Sequence, residues 1–430
     1  MAADSVLSAG GAVAIVTLLI FGYGVTGRRL GRWNLTAPIL FMAAGWVISR
    51  IFTATPGEVD GVRLLAEATL AIVLFTDAAG VRPSEIEGER GPISRLLLIA
   101  LPLTIVFGTF LASLLWPQLP FALALLLGAM LAPTDAALGA ATVMNKAVPT
   151  RIRRILNVES GLNDGMATPV VLFAIAAAAG AEGVSASESV SSALLEIGIG
   201  ALVGVVLGFG GGRLVRWSSA ATTSSVRGRT VATLMLPICA YAFSGLVDGN
   251  GFIAAFVAGT FYAAAWRGDG GKATLELAES VAEPMGDATW LAFGALVVPV
   301  LLVGLGWQEV VFALAALTIL RMLPVALSLI GVGFQLRTVL FLGWFGPRGL
   351  ASVVFALIAL ESLEATAGLD DVLATATLTI IGSVLLHGIS AATGARSYGR
   401  WVRREQPTAE VVHASEPQAR GRLSPINHDN

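Results

Sequence analysis

Apolar runs of roughly 17 to 25 residues, divided by short polar punctuation, recur from one end of the chain to the other. Runs of that length cross about 30 Å of hydrocarbon as helix at about 1.5 Å per residue. A membrane barrel would instead alternate apolar and polar positions. The pattern predicts thirteen helical spans, near residues 5–25, 35–52, 62–82, 94–116, 120–144, 154–180, 190–217, 229–247, 250–266, 281–304, 308–331, 337–362 and 370–396. The loops between them leave no room for a soluble domain. After Trp401 the pattern stops, and EQPTAEVVHASEPQARGRLSPINHDN has too few apolar residues to fold alone. Residues 1–396 are therefore expected to form a transmembrane domain and 397–430 a largely disordered cytoplasmic tail, in which His413 and His428 are ordinary solvated side chains.

Composition agrees and charge adds orientation. The chain is 55% hydrophobic and only 13% charged, against about 25% charged in soluble proteins, and its mean hydropathy is +0.79. The expected class is an all-α polytopic membrane protein, not an enzyme, with no cofactor. The net charge of −2 hides a strong local asymmetry and says nothing about nucleic acid, which is not an expected partner. With the N-terminus outside, the inner loops and C-terminal segment collect 23 of the 27 Lys and Arg residues, whereas Arg50 and Arg63 fall on the other side. That is the distribution expected of cytoplasmic loops, and it places the C-terminus in the cytoplasm. Arg321 and Arg348 are left inside spans. The opening MAADSVLSAGG lacks the basic region of a cleaved signal peptide, so the first span is expected to be retained. The single Cys239 excludes an intramolecular disulfide and is expected to be a buried, inert thiol. Gly204 and Gly208 have GxxxG spacing, for which packing within the protomer is expected.

The candidate chemistry lies between Leu131 and Leu172, in LAPTDAALGAATVMNKAVPTRIRRILNVESGLNDGMATPVVL. An ionisable group within a membrane costs several kcal/mol and is usually kept because an ion or proton pathway needs it. Pro133 loosens span five beside Thr134 and Asp135. Unwound backbone at membrane depth is tolerated where it is buried or lines a cavity, and there it can coordinate cations. The bland alternative is a proline kink with Asp135 paired to a neighbour. In span six Glu159 and Asn163 share one helical face, and Ser160 and Asp164 share the next. A buried carboxylate is one for which a proton and a cation compete, and the Ser160 and Thr134 hydroxyls are hard oxygen ligands suited to sodium. Asn163 brings polarity without charge, so such a site cycles one negative charge. Arg321 must find an anion, and Glu159 is the best candidate for a chiefly structural pair. Arg348 lies in a second interrupted helix, FLGWFGPRGLASVVFAL, where its charge could offset exposed carbonyl ends. Two spans interrupted midway point to an inverted-repeat transporter. Glu67, Asp77, Glu196, Glu283 and Asp287 are weaker signals, for which structural roles are favoured.

These residues resemble the monovalent cation:proton antiporters, in the electroneutral branch that holds the NhaP-type sodium/proton antiporters and the animal sodium/proton exchangers. The resemblance covers all but the tail, and rests on Thr134 and Asp135, on Glu159, Ser160, Asn163 and Asp164, on Arg321, and on the GPRG around Arg348. It implies a fold in which two discontinuous helices cross near the midplane, and a homodimer in which a six-helix core moves against a dimerisation domain. It implies that Asp164 binds the ion and carries the proton, with Asp135 essential beside it and Thr134 and Ser160 as further ligands. Sodium would then sit at Asp164, Ser160 and Thr134, with Asn163 beside them. It also implies the Glu159–Arg321 ion pair and places Asn163 where the electrogenic branch has a second Asp. The expected function is outward sodium or lithium for inward proton, one for one, across the plasma membrane. Potassium/proton exchange is the nearer alternative. An intramembrane aspartyl protease using Asp135 and Asp164 is the alternative of another class, and the sequence lacks its GxGD-type motif.

Overall fold

The computed structural model describes residues 9–31, 35–50, 56–81, 88–135, 138–143, 145–180, 186–266, 272–301, 305–363 and 366–411. Every one of the thirteen windows predicted above contains helix, and no strand occurs among the described residues. In chain order these are α1 (Ala9–Gly31), α2 (Ala37–Ser49), α3 (Pro56–Gly80), α4 (Arg90–Leu115) and α5, whose main part is Phe121–Met130. Then come α6 (Thr150–Ala179), α7 (Ala186–Ala220), α8 (Val226–Leu246), α9 (Gly251–Ala265) and α10 (Lys272–Leu296, with Val298–Leu301 after it). The last are α11 (Trp307–Leu317 and Ile319–Ser328), α12 (Leu336–Trp344 and Leu350–Ser362) and α13 (Leu369–Glu405). Among the described residues seven helices are long and apolar enough to cross a membrane, α4, α6, α7, α8, α10, α11 and α13, and shorter apolar helices accompany them.

The helices sort into two bundles by what they pack against. In one, α7 lies along α9, α2 along α10, and α3 joins α9 to α10. In the other, α4, α5 and α6 pack in succession, and α11 packs on α12 and α13. The bundles meet where α12 crosses α3 and α10 and where α6 touches α3 and α9. The tightest contact of the first bundle depends on glycine. A Cβ at Gly204 or Gly208 would run into the Ala254 or Ala258 carbonyl of α9, so this spacing serves packing inside the protomer, as expected.

Four sequence expectations shift. Span five is helical only over Phe121–Met130, and after a break resumes as the short Ala140–Val143. The tenth helix starts at Lys272, because Thr274, Leu275, Ala278 and Ala282 form a buried stripe while Glu276 faces out, a pattern that extends the helix past its apolar core. The last helix continues to Glu405 rather than ending at 396, with Tyr398 and Val402 buried, and Glu410 beyond it is buried too. Glu410 accepts from the Gln335 N–H and the Thr338 hydroxyl at 2.8 Å each, and the Ala409 carbonyl accepts from Arg151. The residues just after 396 are therefore ordered by polar contacts, which hydropathy does not register. Cys239 is exposed, not buried. It lies on an α8 face with exposed Met235, Phe243 and Leu246, and apolar residues in a membrane helix can face lipid as well as core. His413, His428, Arg32, Arg82, Arg267, Arg420 and Arg422 lie outside the described residues.

Candidate functional site

Breaking a helix exposes N–H groups on one side and carbonyls on the other, and each must find a partner in a membrane. The interruption of α5 after Met130 and that of α12 after Trp344 solve this against each other. The Asp135 N–H donates to the Pro347 carbonyl at 2.8 Å, which pins the two breaks together. The Asp135 carboxylate accepts from the Leu138 N–H (3.3 Å) on its own strand of chain and from the Leu350 N–H (3.1 Å), the first residue of the second half of α12. One anion thus faces two helix starts, where the backbone dipole is positive. The Ser352 hydroxyl returns a bond to the Met130 carbonyl at 2.6 Å, closing the first half of α5. Gly349 is required here, since a Cβ would overlap the Asp135 carboxylate.

The carbonyl ends are served by a cation. Arg348 is fully buried and donates through Nη1 to the Gly346 carbonyl and through Nη2 to the Ala316 carbonyl of α11 at 2.8 Å. Its own N–H donates to Ser383 Oγ on α13 at 2.7 Å. Ser383 Oγ in turn lies 3.2 Å from His387 Nδ1, while His387 Nε2 lies 2.9 Å from the Trp344 carbonyl. His387 Nδ1 also lies 2.9 Å from the Ser383 carbonyl, so the ring sits between two backbone carbonyls and a hydroxyl, and whichever nitrogen carries the proton donates to a carbonyl. His387 is a residue that sequence reasoning missed, although a histidine in the apolar run TLTIIGSVLLHGIS is a visible signal.

A second polar group lies on α6, one layer away. Arg321 and Glu159, both buried, make a two-pronged pair, with Nη1 to Oε1 at 3.0 Å and Nη2 to Oε2 at 2.9 Å. The planar fork matches the carboxylate and fixes α11 to α6. The Arg321 guanidinium rests on the backbone at Gly346, where a Cβ would collide with it. The two glycines of GPRG therefore make room for the two charges Arg321 and Asp135. Asn163 Nδ2 donates to Thr134 Oγ1 at 2.7 Å and lies 3.5 Å from Glu159 Oε1. Thr134 Oγ1 is 3.1 Å from Ser160 Oγ. Asp164 is buried one turn beyond Ser160 on the same face, and its carbonyl accepts from the Thr168 hydroxyl.

The structure thus brings Thr134, Ser160, Asn163, Glu159 and Arg321 into one hydrogen-bonded string, with Asp164 a helical turn away, and Asp135 and Arg348 at the crossing beside it. Asn163 joins the two α6 faces that the spacing had separated. Its buried Oδ1 has no hydrogen-bond partner among the described residues, so the string ends on an open oxygen acceptor. Among the described residues no cluster of His, Cys, Asp and Glu forms a metal centre, and the groups gathered here are hard oxygen ligands.

One further cluster joins the two bundles. Arg63 on α3 donates to Glu67 Oε1 at 2.7 Å and to Glu361 Oε1 at the end of α12 at 2.6 Å, and the Tyr241 hydroxyl on α8 donates to Glu67 Oε2 at 2.9 Å. Glu67 has the structural setting expected of it, whereas Glu361, at the end of an apolar run, gives no hint of its partner 298 positions away.

Two crossed, broken helices carrying a half-buried anion and a buried cation at the contact of two helical bundles define a polytopic membrane protein of the transporter type. Residues 15–394 match the model of the sodium/hydrogen exchanger transmembrane family, and the chain belongs to that family. Among curated relatives, the K(+)/H(+) antiporter NhaP2 of Shewanella oneidensis is 28% identical over 348 residues, 77% of this chain and 57% of the relative. The K(+)/H(+) antiporter NhaP of Alkalimonas amylolytica is 28% identical over 360 residues, 80% of this chain and 58% of the relative. The Na(+)/H(+) antiporter 2 of Zygosaccharomyces rouxii is 26% identical over 267 residues, 58% of this chain and 33% of the relative. The chain therefore spans little more than half the length of the first two. Among solved structures, the sodium proton antiporter MjNhaP1 of Methanocaldococcus jannaschii superimposes with a TM-score of 0.73 at 18% identity, covering 90% of this chain and 98% of that one, which is a likeness of fold.

Proposed function

We propose that the chain exchanges a monovalent alkali cation, sodium or lithium, for a proton, one for one, at a site centred on Asp164. The observation that carries this reading is the buried oxygen string of Thr134, Ser160 and Asn163, one turn from a buried carboxylate. On that stretch of α6, Glu159 is matched by Arg321 and Asn163 is neutral, and Asp164 is the carboxylate that we assign to cargo. A bare carboxylate is costly to carry through hydrocarbon, so movement of the site requires either a cation or a proton on it, and this couples the two flows. Ser160, Thr134 and the Asn163 oxygen would replace part of the hydration shell of the cation. Asp135 would hold the crossing that positions Thr134, and Arg348 and the Glu159–Arg321 pair would fix the surrounding helices.

Alternating access would follow from the bundle of α4, α5, α6, α11, α12 and α13 sliding against the other, which would form the contact between two copies in a homodimer. The arginine distribution supports the N-terminus outside and the C-terminus inside a plasma membrane. On that orientation the Arg63–Glu361 pair spans the bundles at the outer end and would open in each cycle.

Collapse of an imposed pH gradient in proteoliposomes tests this, with sodium, lithium and potassium added in turn. Sodium and lithium should collapse the gradient, and failure of every cation would remove the reading. The names of two relatives favour potassium as the second reading, which a response to potassium alone would establish. With Asn163 in place the rate should not respond to an imposed membrane potential. A strong response would contradict one-for-one exchange.

A further inference from the structure

A groove of about 520 Å³ runs between α11, α12 and α13. This volume lies within the roughly 300–1,000 Å³ typical of small-molecule sites. Its floor is apolar, formed by Met322, Leu340 and Phe345, and is deepened at Gly394, where a Cβ would approach the Phe345 ring to 2.6 Å. Its mouth is different. There Arg337 is exposed, with its guanidinium 5.8 Å from the centre of the Trp401 ring. Arg337 has no carboxylate partner among the described residues. Beyond Trp401 and around it on the last turns of α13, Arg400, Arg403 and Arg404 are exposed, Arg404 in a surface pair with Glu405 at 3.6 Å.

The flanks of the groove show which medium it opens into. Ile319, Leu323, Leu327 and Ile389 are exposed large apolar side chains on the two helices that bound it, a surface suited to lipid. The groove therefore has a hydrocarbon body open to the bilayer and a cationic, aromatic mouth at the level where the basic residues gather. Tryptophan and arginine at that level mark the headgroup layer, and a basic pocket between membrane helices on the cytoplasmic side attracts anionic lipid.

We propose that this groove binds one anionic glycerophospholipid, with an acyl chain along Met322, Leu340 and Phe345 and the phosphate at Arg337. A zwitterionic lipid presents the same chain, but its ammonium group offsets the attraction to Arg337, so the mouth selects for net negative charge. The bound chain would also brace the interrupted helix. Phe345 immediately precedes Gly346, on which Arg321 rests, and Met322 follows Arg321 in sequence. The inference does not depend on which ions are exchanged.

Native mass spectrometry of the full chain in neutral detergent tests it, with phosphatidylglycerol and phosphatidylcholine of identical acyl chains as probes. The wild type should retain phosphatidylglycerol at about fivefold lower concentration than phosphatidylcholine, the scale of one arginine at an anionic surface. Arg337→Gln should bring the two lipids level. Arg213→Gln serves as the control: Arg213 also stacks on an aromatic ring, Phe209 at 4.4 Å, but on α7 outside the groove, and the preference should survive. Leu340→Trp, which fills the body without touching the mouth, should weaken retention of both lipids. Equal retention by the wild type, or a preference that persists in Arg337→Gln, would overturn the proposal. So would displacement of the lipid by glycerol phosphate, which would make the mouth a bare anion site, or a lipid-insensitive dimer lost in Leu340→Trp, which would make the occupant a protein helix.

Discussion

The break in α5 and the break in α12 are alike in outline and opposite in charge. Each interrupts a helix inside the same bundle, and each leaves backbone groups without partners in their own helix. At the α5 break the charged side chain is an anion, the half-buried Asp135, and it caps helix starts, one of them belonging to α12. At the α12 break it is a cation, Arg348, and it caps carbonyl ends, one of them belonging to α11. The charges follow the helix dipoles, negative beside free N–H groups and positive beside free carbonyls. Neither break is complete by itself, because each borrows its partner groups from another helix. Charge at membrane depth is thus used in two ways here: at the crossing it closes backbone, whereas on α6 it is arranged around an oxygen string.

The strongest test of that division is the ion pair between the two regions. Arg321→Ala leaves Glu159 buried without its partner, a loss of about 3–5 kcal/mol, and should lower folded yield and thermal stability far more than apparent cation affinity. The reverse pattern would make Arg321 part of the binding site. Arg348→Met comes next. It keeps the bulk but leaves the Gly346 and Ala316 carbonyls without donors, at about 1–3 kcal/mol for each group, visible as a fall in melting temperature in detergent. Asp135→Asn should cost less, about 1–3 kcal/mol in all, since an amide offers one acceptor where two N–H groups need one each. If Asp135→Asn proves as stable as the wild type, its carboxylate is not capping both helices. The smallest effect belongs to the half-exposed pair between the bundles. Arg63→Gln should change stability by less than about 1 kcal/mol, yet alter the rate at which cysteines placed at the outer end react with membrane-impermeant reagents. An unchanged reaction rate would deny the pair a part in opening that end.

How much of this is legible in the sequence depends on whether the signal is local. The helical windows are, because each apolar run must by itself span a bilayer. The two breaks are too, because Pro133 and the GPRG around Arg348 interrupt otherwise uniform runs. The pairing of Glu159 with Arg321 can be reached by elimination, since few opposite charges compete for it. What the sequence withholds is contact between distant segments. Nothing local says that Asp135 reaches Leu350, that Arg63 reaches Glu361, or that Glu410 closes the start of α12. The burial of Tyr398 and Glu410 is equally hidden, because hydropathy cannot distinguish a polar strap from a solvated tail. Cys239 shows the converse, for an apolar setting in a membrane helix does not separate core from lipid.

The central claim is that Asp164 carries exchange while Asp135 carries structure. It is tested most directly by measuring cation-driven collapse of a pH gradient for Asp164→Asn, alongside its folded yield. The account predicts wild-type yield with no exchange in any alkali cation. Full exchange by Asp164→Asn would contradict it.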